Sequence, residues 1–278
     1  MKMNPILEAI RSRGVELPEQ PIDLSDLFRQ AGIKRVYVIG ITGRCGSTWL
    51  ASELKSIPGY GNPLEYFSDE GLRHYGTAGE RSLAKDFFLS IINFGRTNET
   101  FGVKIDATRL RWLAEVVDLS KSFPIDLTSW IDMRRLNVVK QAFSFARAKQ
   151  SGTWHIYGES QAENGKSSPE ETGKVQFTDL AVWKEIDGIL AAEKELDSFY
   201  KSISAEPLRI KYEEFTDSKS HILLRSLRHI FPDRKMPIER IDGTKTRKLA
   251  NDFEDRDELE FLDRNASKLN ELLRLRTA

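Results

Sequence analysis

The residues best suited to chemistry begin at position 40, in the run Gly40-Ile41-Thr42-Gly43-Arg44-Cys45-Gly46-Ser47-Thr48-Trp49-Leu50. Apolar residues precede this run, and a helical pattern follows its Gly-Ser-Thr triplet. A loop between a buried parallel strand and a helix directs backbone N–H groups and the positive end of the helix toward one point. The run therefore predicts an anion-binding loop for a phosphate-like ligand. The alternative is a tight strand–helix turn whose glycines serve packing alone.

The loop lacks the lysine of the nucleotide triphosphatases. Their pattern requires Gly-Lys-Ser/Thr, whereas here Gly46 is followed directly by Ser47 and Thr48. The nearby side-chain cation in the loop is Arg44, before the predicted helix. The loop therefore favours an anion other than a metal-bridged triphosphate.

Four apolar runs predict the strands that position this loop, at residues 35–39, 101–105, 127–133 and 208–211. Between these predicted strands, apolar residues recur at the spacing of a helix. Strands that alternate with helices predict an α/β fold of three layers, with a mostly parallel central sheet between helices.

The rest of the chain is assigned by composition. Residues 1–32 predict a helical lead-in, and residues 254–275 predict one charged helix. Residues 151–174 are polar and glycine-rich, which is typical of an exposed, mobile loop. Since no linker stands out, we expect a single domain over residues 1–278.

Charge and cysteine content exclude several classes of protein. The 278 residues carry 42 basic and 42 acidic side chains, so net charge offers no argument for nucleic acid or a membrane surface. The one cysteine, Cys45, forbids internal disulfides and favours a reducing compartment. With no signal-like or membrane-length apolar run, we expect a cytoplasmic protein with no membrane span.

Further blocks accompany the loop in a fixed order: Gly61-Asn62-Pro63-Leu64-Glu65-Tyr66-Phe67, Phe101-Gly102-Val103-Lys104, and Arg134-Arg135-Leu136-Asn137-Val138-Val139-Lys140-Gln141-Ala142-Phe143-Ser144. In order and spacing these blocks resemble the bacterial trehalose sulfotransferase family, which uses 3′-phosphoadenosine 5′-phosphosulfate (PAPS). The likeness covers residues 35–150, with a weaker echo at residues 209–215. It implies the P-loop-like sulfotransferase fold.

The resemblance implies that the first loop binds the 5′-phosphosulfate of PAPS through Arg44, Cys45, Gly46, Ser47 and Thr48. Backbone amides and the two hydroxyls would contact the oxyanions, and Arg44 would stabilise charge on the leaving phosphate. No metal is expected to bridge the phosphates. Cys45 stands where the family generally has serine, and we expect it to act as a small packing residue.

The resemblance also implies a 3′-phosphate site at Arg134, Arg135 and Ser144. Arginine offers a planar fork for phosphate and serine a hydroxyl donor. We favour Arg135, although alternation along the strand end leaves both arginines open. The pair Leu136-Asn137 departs from the acidic residue usual in the family, but Asn137 can cap the helix itself. The alternative is a solvated arginine pair and a surface serine.

By the same resemblance, Glu65 is the base that takes a proton from the acceptor hydroxyl. A carboxylate between Pro63-Leu64 and Tyr66-Phe67 is expected to be partly desolvated, which suits a base. A surface glutamate after a turn is the alternative. His74 is a rival base that no feature of the sequence brings to the loop.

Four further cations are weaker candidates. Lys245 and Arg247, with Lys248, form the densest basic cluster, and many sulfotransferases close over the 3′-phosphate with a basic loop near the C-terminus. Lys104 ends a predicted strand, where it would contact the nucleotide or acceptor, or be solvated.

The sequence thus predicts a PAPS-dependent sulfotransferase that acts on a hydroxyl of a carbohydrate or glycolipid. The resemblance implies a homodimer. The alternatives are a P-loop phosphotransferase (kinase) with a degenerate loop, and a nucleotide-binding protein without catalytic activity.

Overall fold

The computed structural model of the chain describes residues 4–12, 14, 19–75, 83–123, 127–152, 177–234 and 256–277. Thirteen helices lie in these ranges: α1 Pro5–Arg11, α2 Leu24–Gln30, α3 Ser47–Ser56, α4 Asp69–Tyr75, α5 Ala84–Gly95, α6 Ala107–Ala114, α7 Leu119–Ser122, α8 Val138–Ser151, α9 Asp179–Ser202, α10 Tyr212–Asp217, α11 Lys219–Ile230, α12 Arg256–Arg264 and α13 Ala266–Thr277. Five strands lie there too: β1 Arg35–Ile41, β2 Arg96–Thr97, β3 Thr100–Asp106, β4 Thr128–Arg134 and β5 Leu208–Lys211.

The strands form one sheet in the order β2-β3-β1-β4-β5. β1 pairs in parallel with β3 and β4, β4 pairs in parallel with β5, and the short β2 runs antiparallel to β3. Ile39 lies opposite Lys104 on one side and Ile131 on the other. The α/β fold with a mostly parallel sheet is confirmed.

Alternate residues of β1 pack on opposite faces of the sheet. Val36 and Val38 belong to a core with α1, α2, α5 and the end of α9, whereas Ile39 and Ile41 belong to a core with α3 and α11. Side chains of successive strand residues point to opposite faces. Both faces are covered by helices, which is why the strands read as near-continuous apolar runs.

The chain divides into two compact units. The first comprises Met1–Leu136 with Ala191–Thr244, and the second comprises Asn137–Leu190 with Lys245–Ala278. The sheet lies in the first unit. The second has a helical core of its own, in which Phe143, Ile186 and Phe261 are buried. The single domain expected from the sequence stays a prediction.

Two expectations about elements were wrong. The predicted helix over residues 254–275 is two helices that break at Asn265, whose side-chain amide donates to Asp179 at 2.8 Å and to the Phe261 carbonyl at 3.0 Å. The sheet also has a fifth strand, β2, which the sequence did not predict because two residues are too few to produce a periodic pattern. The predicted cap of α8 is confirmed, since Asn137 Oδ1 accepts from the Lys140 N–H at 2.8 Å.

Candidate active site

The loop after β1 lies at the point where the order of the strands reverses. From the central β1 the chain moves to β3 on one side and later to β4 on the other. In open α/β sheets, such a switch point leaves a crevice at the carboxyl ends of the strands, where ligands bind. The candidate residues that follow β1, end β3 and follow β4 all come to this edge.

The loop itself has an unusual backbone. Arg44 has a φ of 64° and Gly46 a φ of 92°, and a non-glycine residue in the left-handed region costs on the order of 1 kcal/mol or more. A Cβ added at Gly46 would lie 2.2 Å from Cδ2 of Tyr212. Gly46 is therefore required both for its conformation and for the close approach of the Tyr212 ring.

The first turn of α3 presents the hydroxyl residues. Ser47 is buried and Thr48 half-buried, and the Trp49 and Leu50 N–H groups both bond to the Gly46 carbonyl. The N–H groups that start a helix carry partial positive charge and lack partners within it. The loop and the first turn thus have the features of an anion site.

Cys45 is fully buried within the loop. Burial raises the pKa of its thiol, against the hydrogen bonds from Ser47 and Thr42 that lower it. A raised pKa keeps the thiol neutral at pH 7, which matches the expected packing role.

Lys104 reaches the loop from β3. Its side chain is only 4 % exposed, and its Nζ lies 3.2 Å from Thr48 Oγ1 and 3.1 Å from Glu65 Oε1. A neighbouring strand therefore brings a buried ammonium to a loop that has no lysine of its own. The sequence left two interpretations of Lys104 open, a contact with a ligand and a solvated strand end. The burial of the side chain shows that the second interpretation was wrong.

Glu65 is fixed at its backbone on both sides. Leu64 forms a parallel bridge with Val103, and the Leu64 carbonyl accepts from the Lys104 N–H at 2.9 Å. The Glu65 carbonyl accepts from the Ser68 N–H at 3.0 Å. The Glu65 side chain, 30 % exposed, is directed to Lys104.

Helix α4 closes tightly over the Glu65 backbone. A Cβ added at Gly71 would lie 2.2 Å from the Glu65 carbonyl oxygen, so a larger residue there would displace this segment. His74, the rival base, is exposed on the same helix and stacks edge-on against Tyr75 at 4.6 Å between ring centroids.

Arg135 faces the loop. Its guanidinium lies 4.9 Å from the ring centroid of Tyr212, the ring that packs on Gly46. Burial lowers the pKa of Arg44, and the positive charge of Arg135 lowers it further. The half-buried guanidinium groups of Arg44 and Arg135 therefore repel each other, and an anion bound between them would reduce this repulsion.

Arg134 points to the other face of the sheet. It donates from Nε to Asp132 Oδ2 at 2.9 Å and from an Nη to Asp197 Oδ1 at 2.6 Å. Arg209 contacts the same two oxygens, each at 2.7 Å. Arg134 shares a face with Asp132 because they are two residues apart on β4, and that spacing was the signal in the sequence.

The remaining candidates lie elsewhere. Ser144 lies on α8 in the second unit. Lys245, Arg247 and Lys248 lie outside the described residues, as does most of the predicted loop at residues 151–174. Their predicted roles stay predictions.

A family model described as Stf0 sulphotransferase matches residues 36–264. The chain belongs to this family. The match includes every site residue named above that the structure describes, from Arg44 to Arg209. A search of curated proteins gave no match. The family resemblance drawn from the sequence is confirmed, and membership supports a transferase that moves sulfuryl groups.

Two features are absent from the described ranges of this family member. No group of three or more His, Cys, Asp or Glu side chains could hold a metal ion there. No helix of the described part of the chain is long and apolar enough to cross a membrane.

Proposed function

We propose that this protein transfers a sulfuryl group from PAPS to a hydroxyl of a carbohydrate or glycolipid. One observation carries the proposal: Glu65 is joined through the Lys104 ammonium to Thr48 of the anion loop. A proton acceptor thus lies beside the loop that would bind the transferred group. Family membership supports the sulfuryl chemistry, and the resemblance described above suggests the donor and the acceptor class.

In the proposed reaction, the acceptor oxygen attacks sulfur while Glu65 takes its proton. The new O–S bond forms as the S–O bond to the 5′-phosphate breaks, and the electron pair stays on the phosphate oxygen. Arg44, the loop amides and the start of α3 would stabilise this charge. No step needs an oxidant or a reductant.

We assign Arg135 to the 3′-phosphate. It lies close enough to Arg44 to lower the pKa of that group, so one nucleotide with two phosphate groups could pair with both arginines. Arg134 is instead engaged by Asp132 and Asp197. A role for Ser144 rests on the resemblance alone, as do a homodimer and a cytoplasmic location.

Calorimetric titration tests the two-anion arrangement. We expect 3′,5′-ADP to bind with about micromolar affinity and 5′-AMP at least about tenfold more weakly, because a charged hydrogen-bonding partner contributes roughly 1.5–3 kcal/mol. Equal affinities would contradict the role of Arg135.

A second assay identifies the acceptor. Labelled PAPS is offered with a panel of sugars and glycolipids, and a labelled product is the expected result. Transfer of the γ-phosphoryl group from ATP, without transfer from PAPS, would instead support the phosphotransferase alternative.

A further inference from the structure

We infer that Lys104 couples donor binding to the base: it holds Glu65 in the free protein and releases it when a sulfuryl group enters the loop. This inference rests on the proposed function and deepens it. Lys104 would thus be a positioning residue that makes Glu65 available as a base only after the donor has bound.

The contacts of Lys104 carry the inference. An ammonium has three N–H donors, and here it lies within 3.2 Å of Thr48 Oγ1 and 3.1 Å of Glu65 Oε1. The side chain is 4 % exposed, so it exchanges few contacts with water. Its two partners belong to the two functional parts of the site, the donor loop and the proposed base.

The charges then predict a transfer of contacts. An ammonium beside a carboxylate stabilises the ionised form and makes it a poorer proton acceptor. Sulfuryl oxygens bound at the first turn of α3 would lie near Thr48, and they would compete with Glu65 for the same ammonium. Once Lys104 turns to those oxygens, the Glu65 carboxylate loses the stabilisation by this cation and becomes a better acceptor for the proton of the hydroxyl.

The test is a binding cycle without an acceptor. Affinities for PAPS and for 3′,5′-ADP, which lacks the sulfuryl group, are measured for wild type, Glu65→Gln, Lys104→Met and the double variant. Folding is checked by circular dichroism, and Lys104→Gln replaces Lys104→Met if the apolar variant does not fold. The ratio of the two affinities isolates the sulfuryl group.

We expect Glu65→Gln to tighten PAPS binding by about fivefold, a modest coupling between two sites, and to leave 3′,5′-ADP binding unchanged. In the Lys104→Met background the gain should vanish. A gain that persists there would mean direct repulsion between Glu65 and the donor, and would overturn the inference.

Other outcomes are equally decisive. An unchanged ratio in Glu65→Gln would overturn the inference while leaving the proposed function intact. A wild-type protein that binds neither nucleotide would remove the proposed function and the inference with it.

Discussion

Two ion clusters in the first unit lie on opposite faces of the same sheet, and they differ in which charges lie next to one another. On one face, Asp132 and Asp197 are paired with Arg134 and Arg209. On the other, the Glu65–Lys104 pair lies in the loop region that also holds Arg44 and Arg135. We call the first, in which each of the four charges contacts an opposite charge, the balanced cluster. In the second, the loop cluster, the charge of Arg135 lowers the pKa of Arg44, and a bound anion would raise it.

The pKa shifts of the arginines express the same difference, although burial raises the pKa of Asp132 within the balanced cluster. Burial alone would lower the pKa of Arg134, yet hydrogen bonds to Asp197 and Asp132 raise it overall. The pKa of Arg44 is lowered, first by burial and then by Arg135. Arg134 is thus stabilised as a cation by its neighbours, whereas Arg44 would be stabilised by a bound anion.

The largest expected effect comes from removing the carboxylate of Glu65 from the loop cluster. Glu65→Gln should lower kcat about 10²- to 10⁴-fold, the usual contribution of a general base, while 3′,5′-ADP still binds. Sulfate transfer from labelled PAPS measures the first and calorimetry the second. The exposed Glu70→Gln serves as the control and should retain full activity. A fully active Glu65→Gln would end its candidacy as the base.

The balanced cluster should fail differently. Asp132→Asn leaves two arginines facing one carboxylate, and Asp132 is fully buried. We expect the free energy of unfolding to fall by about 3 kcal/mol, as for other broken buried ion pairs, measured by denaturant titration. The affinity of the folded fraction for 3′,5′-ADP should not change; a selective loss of binding would place this cluster in the site.

Arg135→Ala sharpens the comparison between adjacent arginines. We expect it to weaken 3′,5′-ADP binding roughly tenfold to a hundredfold, since one charged hydrogen-bonding group is lost, and to leave 5′-AMP binding nearly unchanged. Arg228→Ala, an exposed arginine on α11, is the matched control. A parallel loss for both nucleotides would argue against a specific 3′-phosphate contact.

The smallest effect is expected at the buried thiol of the loop. Because burial raises the pKa of Cys45, its thiol is neutral at pH 7 and supplies no charge to the site. Cys45→Ser should keep activity within about threefold and change stability by about 1 kcal/mol or less. A large loss of transfer in a folded variant would give the thiol a role of its own.

Much of the fold could be predicted because its signals are local. Apolar runs that end in glycine or charge mark β1, β3 and β4, and the Gly-Ser-Thr triplet marks the start of α3. Asn137 marks the start of α8, because its side chain accepts a hydrogen bond from the N–H of Lys140, three residues later. By contrast, β2 and the break at Asn265 depend on distant partners, which no local pattern records.

The sequence by itself determined the family, and it predicted the anion loop and the base Glu65, since each depends on a short run of residue types. Only the tertiary structure decided that Arg134 is paired across the sheet and that Lys104 meets Thr48, 56 positions away. Parallel pairing of β1 and β3 sets that meeting, and strand alternation separates the two arginines. The physical reason is that long-range pairing, not local spacing, assigns each charge its neighbours.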